Sequence, residues 1–106
     1  MTWSIEFFSA EVVQELEAFP ADIRARFERI VGLIHNFGLE RVHEPYIKHV
    51  EGRIWEMRLK GRDGIARALY VTAIGKRIIV LRVFSKKTQK TPRNEIELAL
   101  RRAKEI

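Results

Sequence analysis

Cysteine is absent from the 106-residue chain. Its absence excludes a disulfide framework, a thiolate metal site and a cysteine nucleophile, and it fits a reducing compartment. Long apolar runs are missing too: stretches such as Ile78 to Leu81 fall far short of the roughly 20 residues that a membrane helix needs. No charged-then-apolar leader opens the sequence, so the expectation is a soluble, cytoplasmic protein with no membrane partner. The few glycines form no pattern resembling a phosphate-cradling loop. His43 and His49 have no carboxylate at zinc-site spacing, His35 falls within a helical stretch, and Ser9 and Ser85 have no triad context. Neither a metal nor a cofactor is expected.

What remains is an ordinary globular composition, 46% hydrophobic and 32% charged, on a chain long enough for one core and too short for two. One domain over 1–106 is expected. The charge is lopsided. Residues 1 to 51 hold 5 Lys/Arg against 9 Asp/Glu, a net of −4, while residues 52 to 106 hold 15 against 5, a net of +10, for a total of +6. The stretch Lys76 to Arg93 carries seven cations (Lys76, Arg77, Arg82, Lys86, Lys87, Lys90, Arg93) and no acid. A charge run is often just a solvated face, but this many unopposed cations on one strand and its following loop point to a polyanion or an acidic protein.

Hydrophobic periodicity organises the chain. Trp3 to Phe8 is rich in strand formers. Ser9 is placed to cap a first helix with Glu11 in its first turn, along which Val12, Val13, Leu16 and Phe19 recur up to Pro20. From Ala21, the set Ile23, Phe27, Ile30, Val31, Ile34 and Phe37 forms an amphipathic stripe that Gly38 can end with a positive φ. Leu39 to Glu51 has no sustained period and contains Pro45, so it reads as a connecting loop. Three strands follow, Arg53 to Lys60, Ile65 to Ala73 and Arg77 to Ser85, joined by links short enough for an antiparallel meander. Thr91 as N-cap and Pro92 at the first helical position then open a last helix with Ile96, Ala99, Leu100 and Ala103 on one side. The order β-α-α-β-β-β-α is an α+β domain, expected to carry its helices on one face of the sheet.

Alternation assigns the strand faces. Trp55, Met57 and Leu59 share a face that packs, and Glu56, Arg58 and Lys60 share the other. In the last strand, Ile79, Leu81 and Val83 are assigned to the core, leaving Arg82 and Phe84 on the second face. Ile65 to Ala73 is apolar on both sides, so parity does not orient Arg67. A surface lined by Arg58, Lys60, Arg82 and Phe84 and bordered by Lys86, Lys87 and Lys90 suits single-stranded RNA: cations neutralise phosphates, and a ring such as Phe84 or Tyr70 can stack a base unless it packs in the core. Cations can also cut RNA. The 2′-hydroxyl is a built-in nucleophile, so fixed guanidinium groups need only hold it in line and stabilise the pentacoordinate phosphate. A lysine crowded by other cations, as at Lys86-Lys87, can in addition move a proton.

Three segments carry a resemblance: Gly52-Arg-Ile-Trp-Glu-Met-Arg-Leu59, Gly64-Ile-Ala-Arg-Ala-Leu-Tyr70 and Phe84-Ser-Lys-Lys-Thr-Gln-Lys-Thr-Pro92. Together they resemble the phage-derived, HigB-like branch of the RelE/ParE toxin superfamily, whose element order is the one read above. The third segment is the specific one. The resemblance implies a type II toxin that enters the ribosome and cuts mRNA as a metal-independent endoribonuclease, inhibiting translation. It implies catalytic roles for Arg58, Arg67 and Lys87, with Lys86 or Lys90 as substitutes, and a neighbouring antitoxin of the helix-turn-helix type. Glu56 stands where RelE has a second lysine on this strand, and Pro92 near where RelE has a functional tyrosine. Glu56 is then either a general base or an ion-pair partner that orients Arg58. Two other functions compete: a ParE-like DNA gyrase inhibitor without catalysis, and a non-enzymatic nucleic-acid-binding module.

Overall fold

A computed structural model of the chain describes residues 2–86 and 90–106. Strand β1 (Ser4–Phe7) is followed by helices α1 (Ala10–Glu17) and α2 (Ala21–Phe37), a 3-10 turn (Leu39–Arg41), strands β2 (Ile47–Glu51), β3 (Ile54–Gly61), β4 (Gly64–Ala73) and β5 (Arg77–Lys86), and helix α3 (Arg93–Ala103). The α+β class and the order of helices and strands agree with the sequence reading, with one strand added. That strand, β2, lies inside the stretch read as a loop. Its side chains run from buried Ile47 through exposed Lys48 and His49, a pattern too short to register as alternation.

The five strands stand in the order β1-β5-β4-β3-β2. The meander β2-β3-β4-β5 is antiparallel, and β1 adds to β5 in parallel, Ser4 opposite Arg77 and Phe7 opposite Val80. The sheet is therefore mixed, because the N-terminal strand crosses over by way of α1 and α2 to reach a partner at the far end of the sequence.

Helices cover both faces, a correction to the one-sided arrangement expected. Val12 and Leu16 of α1 and Ile23, Phe27, Ile30 and Ile34 of α2 pack against Met57, Leu59, Ala66, Ala68, Tyr70, Ile78, Val80 and Val83. On the opposite face, Ala99 and Ala103 of α3 close over Ile54, Leu69, Val71, Ile79, Leu81 and Phe84. The alanines let the helix sit close to the strands.

A bulge explains why the faces of β5 were misassigned. Leu69 pairs with Arg82 but Tyr70 pairs with Val80, so Leu81 is an extra residue without a partner on β4. Alternation is reset there. Ile79 and Leu81 turn toward α3 and Val83 toward α1 and α2, although a plain period of two puts all three together.

Helix starts also differ in detail from expectation. Ser9 is the N-cap of α1, but its side chain makes no capping bond; its carbonyl accepts from the Val12 and Val13 amides. Helix α3 is capped by Pro92, one residue later than expected, because the Thr91 hydroxyl is engaged elsewhere. Gly38 does end α2 with φ 89°, a conformation that only glycine adopts without strain.

Candidate functional site

Helix α3 packs on its face of the sheet against Ile54, Leu69, Val71, Ile79, Leu81 and Phe84. Toward the other end of the strands, β3 and β4 place Arg58 directly opposite Arg67, and β4 and β5 place Ile65 opposite Lys86. Because Arg67 pairs with Phe84, and Phe84 packs toward α3, Arg67 points to the α3 side, which parity alone had left open. Lys48 of β2 stands opposite Glu56 of β3 and joins the same group.

Glu56 is the centre of this group. Only 2% of it is exposed, a burial that a carboxylate tolerates only when paired. The Arg67 guanidinium donates from Nη1 to Glu56 Oε2, and the Thr91 hydroxyl donates to Oε1 at 2.8 Å. Both carboxylate oxygens are thereby occupied. Glu56 thus orients Arg67, where the sequence reading had considered Arg58 or a general base. The bond from Thr91 also ties the segment leading into α3 to the middle of β3.

Cations outnumber this one acid. Burial is the first cause that lowers the Lys86 pKa; Arg67, Lys48 and Arg58 lower it further, against an opposing pull from Glu56. Burial likewise lowers the Arg67 pKa, with Arg58 adding to the effect and Glu56 opposing it. Lys86 thus lies in the field of three other cations beside a single carboxylate. The Nε–H groups of Arg58 and Arg67 are buried and have no hydrogen-bond partner among the described residues. Beside them a depression of about 230 Å³ is lined by Lys48, His49, Glu56, Lys86, Lys90 and Thr91, among others.

The expected residues therefore divide. Arg58, Arg67 and Lys86 come together, with Lys90 on the rim of the adjoining depression. Lys87 lies outside the described residues. Lys60 is exposed at the end of β3, where it lines a separate shallow hollow with Arg26, Arg29 and Arg62. Arg82 sits between α1 and α3, its Nε 2.8 Å from Glu95 and its Nη1 3.0 Å from Glu15. That pairing raises its pKa, first through the hydrogen bond to Glu95, and leaves its one positive charge facing two carboxylates. Phe84, 5% exposed, and Tyr70, 1% exposed, are core residues and present no open ring to a base. Trp55, expected in the core, is 40% exposed at the end of β3, with its ring 5.0 Å from that of His49.

Arg77 and Arg93 of the basic run are also paired, with Glu6 and Glu51. The acidic first half of the chain thus neutralises part of the basic second half. The signal for Lys48 was weak, because the residue is separated in sequence from every other cation of the site.

No curated protein matches the chain. A chain of the crystal structure of the archaeal RelE-RelB complex from Pyrococcus horikoshii OT3 is similar in fold, with a TM-score of 0.61 and 21% identity, over 80% of this chain and 96% of that one. The family model described as phage derived protein Gp49-like matches residues 14–104, from α1 to the end of α3 and so including every strand of the candidate site. The chain belongs to the phage-derived Gp49-like family.

Proposed function

We propose that this protein is the toxin of a type II toxin-antitoxin pair and acts as a ribosome-dependent mRNA endoribonuclease. The observation that carries the reading is the opposition of Arg58 and Arg67 beside Lys86, around a buried Glu56 that Arg67 and Thr91 hold, on the face of the sheet that carries α3. Fixed guanidinium groups in such a place stabilise the charge that develops on a phosphate when a 2′-oxygen attacks it. The reaction forms the 2′-oxygen–phosphorus bond and breaks the bond from phosphorus to the 5′-oxygen, which takes a proton from solvent, giving a cyclic phosphate and a 5′-hydroxyl. Arg58 and Arg67 hold the phosphate. Lys86, whose pKa is depressed, takes the proton of the 2′-hydroxyl as a neutral amine. Lys87 contributes a further phosphate contact, on the sequence resemblance alone.

The fold similarity to a chain from a RelE-RelB complex supports an antitoxin partner, and the placement of several cations on one face gives that partner a surface to cover. The HigB-like branch remains the reading of the Phe84 to Pro92 motif.

Induction in growing cells followed by mapping of mRNA 5′ ends tests this function. New 5′ ends inside translated reading frames, lost when translation is blocked and lost in Arg58→Ala, are expected. Intact mRNA together with double-strand DNA breaks overturns the reading in favour of gyrase inhibition.

A further inference from the structure

Lys48 is drawn into the basic cluster although it lies 38 residues before Lys86 in sequence and outside every motif described above. It stands opposite Glu56 across the β2–β3 ladder, two residues along β3 from Arg58 and so roughly 6.6 Å along the strand. That is the scale of one nucleotide step along an extended strand. With Lys86, Lys90 and Thr91 it lines the depression of about 230 Å³ whose lining also includes Glu56. Lys48 is exposed and makes no ion pair among the described residues. The acid in the depression is paired with Arg67, and the three lysines that share the lining leave it net positive.

We propose that this depression is a second phosphate subsite, in which Lys48 binds the phosphodiester next to the one held by Arg58 and Arg67. The inference rests on the RNA reading of that face and gives it a direction: the strand runs from Arg58 and Arg67 across Glu56 toward edge strand β2. Lys48 is a binding residue with no part in bond making.

A short single-stranded oligoribonucleotide titrated into the purified chain at several salt concentrations tests it without requiring cleavage. Each phosphate neutralised on a single strand contributes about 0.7 to the slope of log K against log salt. Lys48→Ala is expected to lower the slope by about that amount and to weaken binding several-fold, Lys48→Arg to restore both, and Lys104→Ala, at an exposed position just past α3, to change neither. Equal losses in Lys48→Ala and Lys104→Ala overturn the subsite, because they mark general charge attraction. So does an unchanged slope in Lys48→Ala, or a parent protein that does not bind the oligonucleotide. If polyglutamate binding responds to Lys48→Ala and RNA binding does not, the depression seats an acidic protein segment and the proposal is wrong. A parent that binds as described but leaves mRNA uncut in cells retires the nuclease reading and keeps the subsite.

Discussion

At Arg67 the proposed phosphate contact and a structural role meet in a single side chain. Its guanidinium is the charge partner of Glu56, and both groups are almost fully buried. Removing one member of such a pair leaves the other uncompensated, at a cost of about 3–5 kcal/mol. Arg67→Ala is therefore expected to lose cleavage and to melt at a clearly lower temperature. Arg58→Ala is the cleaner probe: cleavage on programmed ribosomes falls by about 10²-fold, the magnitude for one lost charge-stabilising donor, while the melting temperature holds. In the proposed mechanism Lys86 sets the pH dependence. A lowered pKa means that the neutral amine appears at a lower pH than for an ordinary lysine, so kcat/KM is expected to rise with pH through that lowered value. Lys86→Arg removes this rising limb, since a guanidinium stays protonated; a limb that persists in the variant assigns the proton transfer to another group. The sequence showed which residue types were present at 58 and 67. It did not show the bond between Glu56 and Arg67, because β4 is apolar on both sides and alternation there has no direction.

Among the elements, the long helix and the three long strands were legible from periodicity because each buries a continuous stripe. What was not legible depended on partners. Strand β2 exists because β3 offers it a ladder, and α3 lies opposite α1 and α2 because a small-residue face at Ala99 and Ala103 fits the second side of the sheet. The edge of β5 past its pairing with β1 needs another partner, and α1 supplies it. Glu15 accepts the Val83 amide at 2.9 Å and pairs with Arg82. Hydrogen bonds to a charged group are worth about 1.5–3 kcal/mol, so Glu15→Ala is expected to lower unfolding free energy by about 2 kcal/mol in a denaturant titration. Glu97→Ala, which removes only an exposed i,i+4 pair with Arg93, is expected to change it by less than about 0.5 kcal/mol. Similar losses in the two variants contradict the role given to the β5 edge.

Across the whole molecule, the opposed charges of the two halves pair early segments of the chain with late ones. Glu6 pairs with Arg77, Glu11 with Arg102 and Glu51 with Arg93, each joining an early segment to a late one. The pKa values of Glu6 and Glu51 are lowered first by the hydrogen bonds from their arginines, and that of Asp22 by the Arg62 amide. A lowered folded-state pKa adds stability that is complete above the unfolded values of 4.5 for Glu and 3.8 for Asp and is lost as pH falls through the lower folded values. Melting temperature is expected to be flat near neutrality and to drop on acidification below about pH 4, which thermal scans across that range check.

The parallel register of β1 on β5 joins Ser4 to Arg77, nearly three quarters of the chain apart. Synthesis delivers β5 after the other four strands of the sheet, so a growing polypeptide carries an unmated first strand and an unfinished sheet until residues 77–86 have emerged. Lys86 arrives with that same late strand, and Thr91, which fastens Glu56, arrives later still. The basic cluster thus assembles only once Lys86 and Thr91 have left the ribosome, and a message broken before their codons yields a fragment that lacks it.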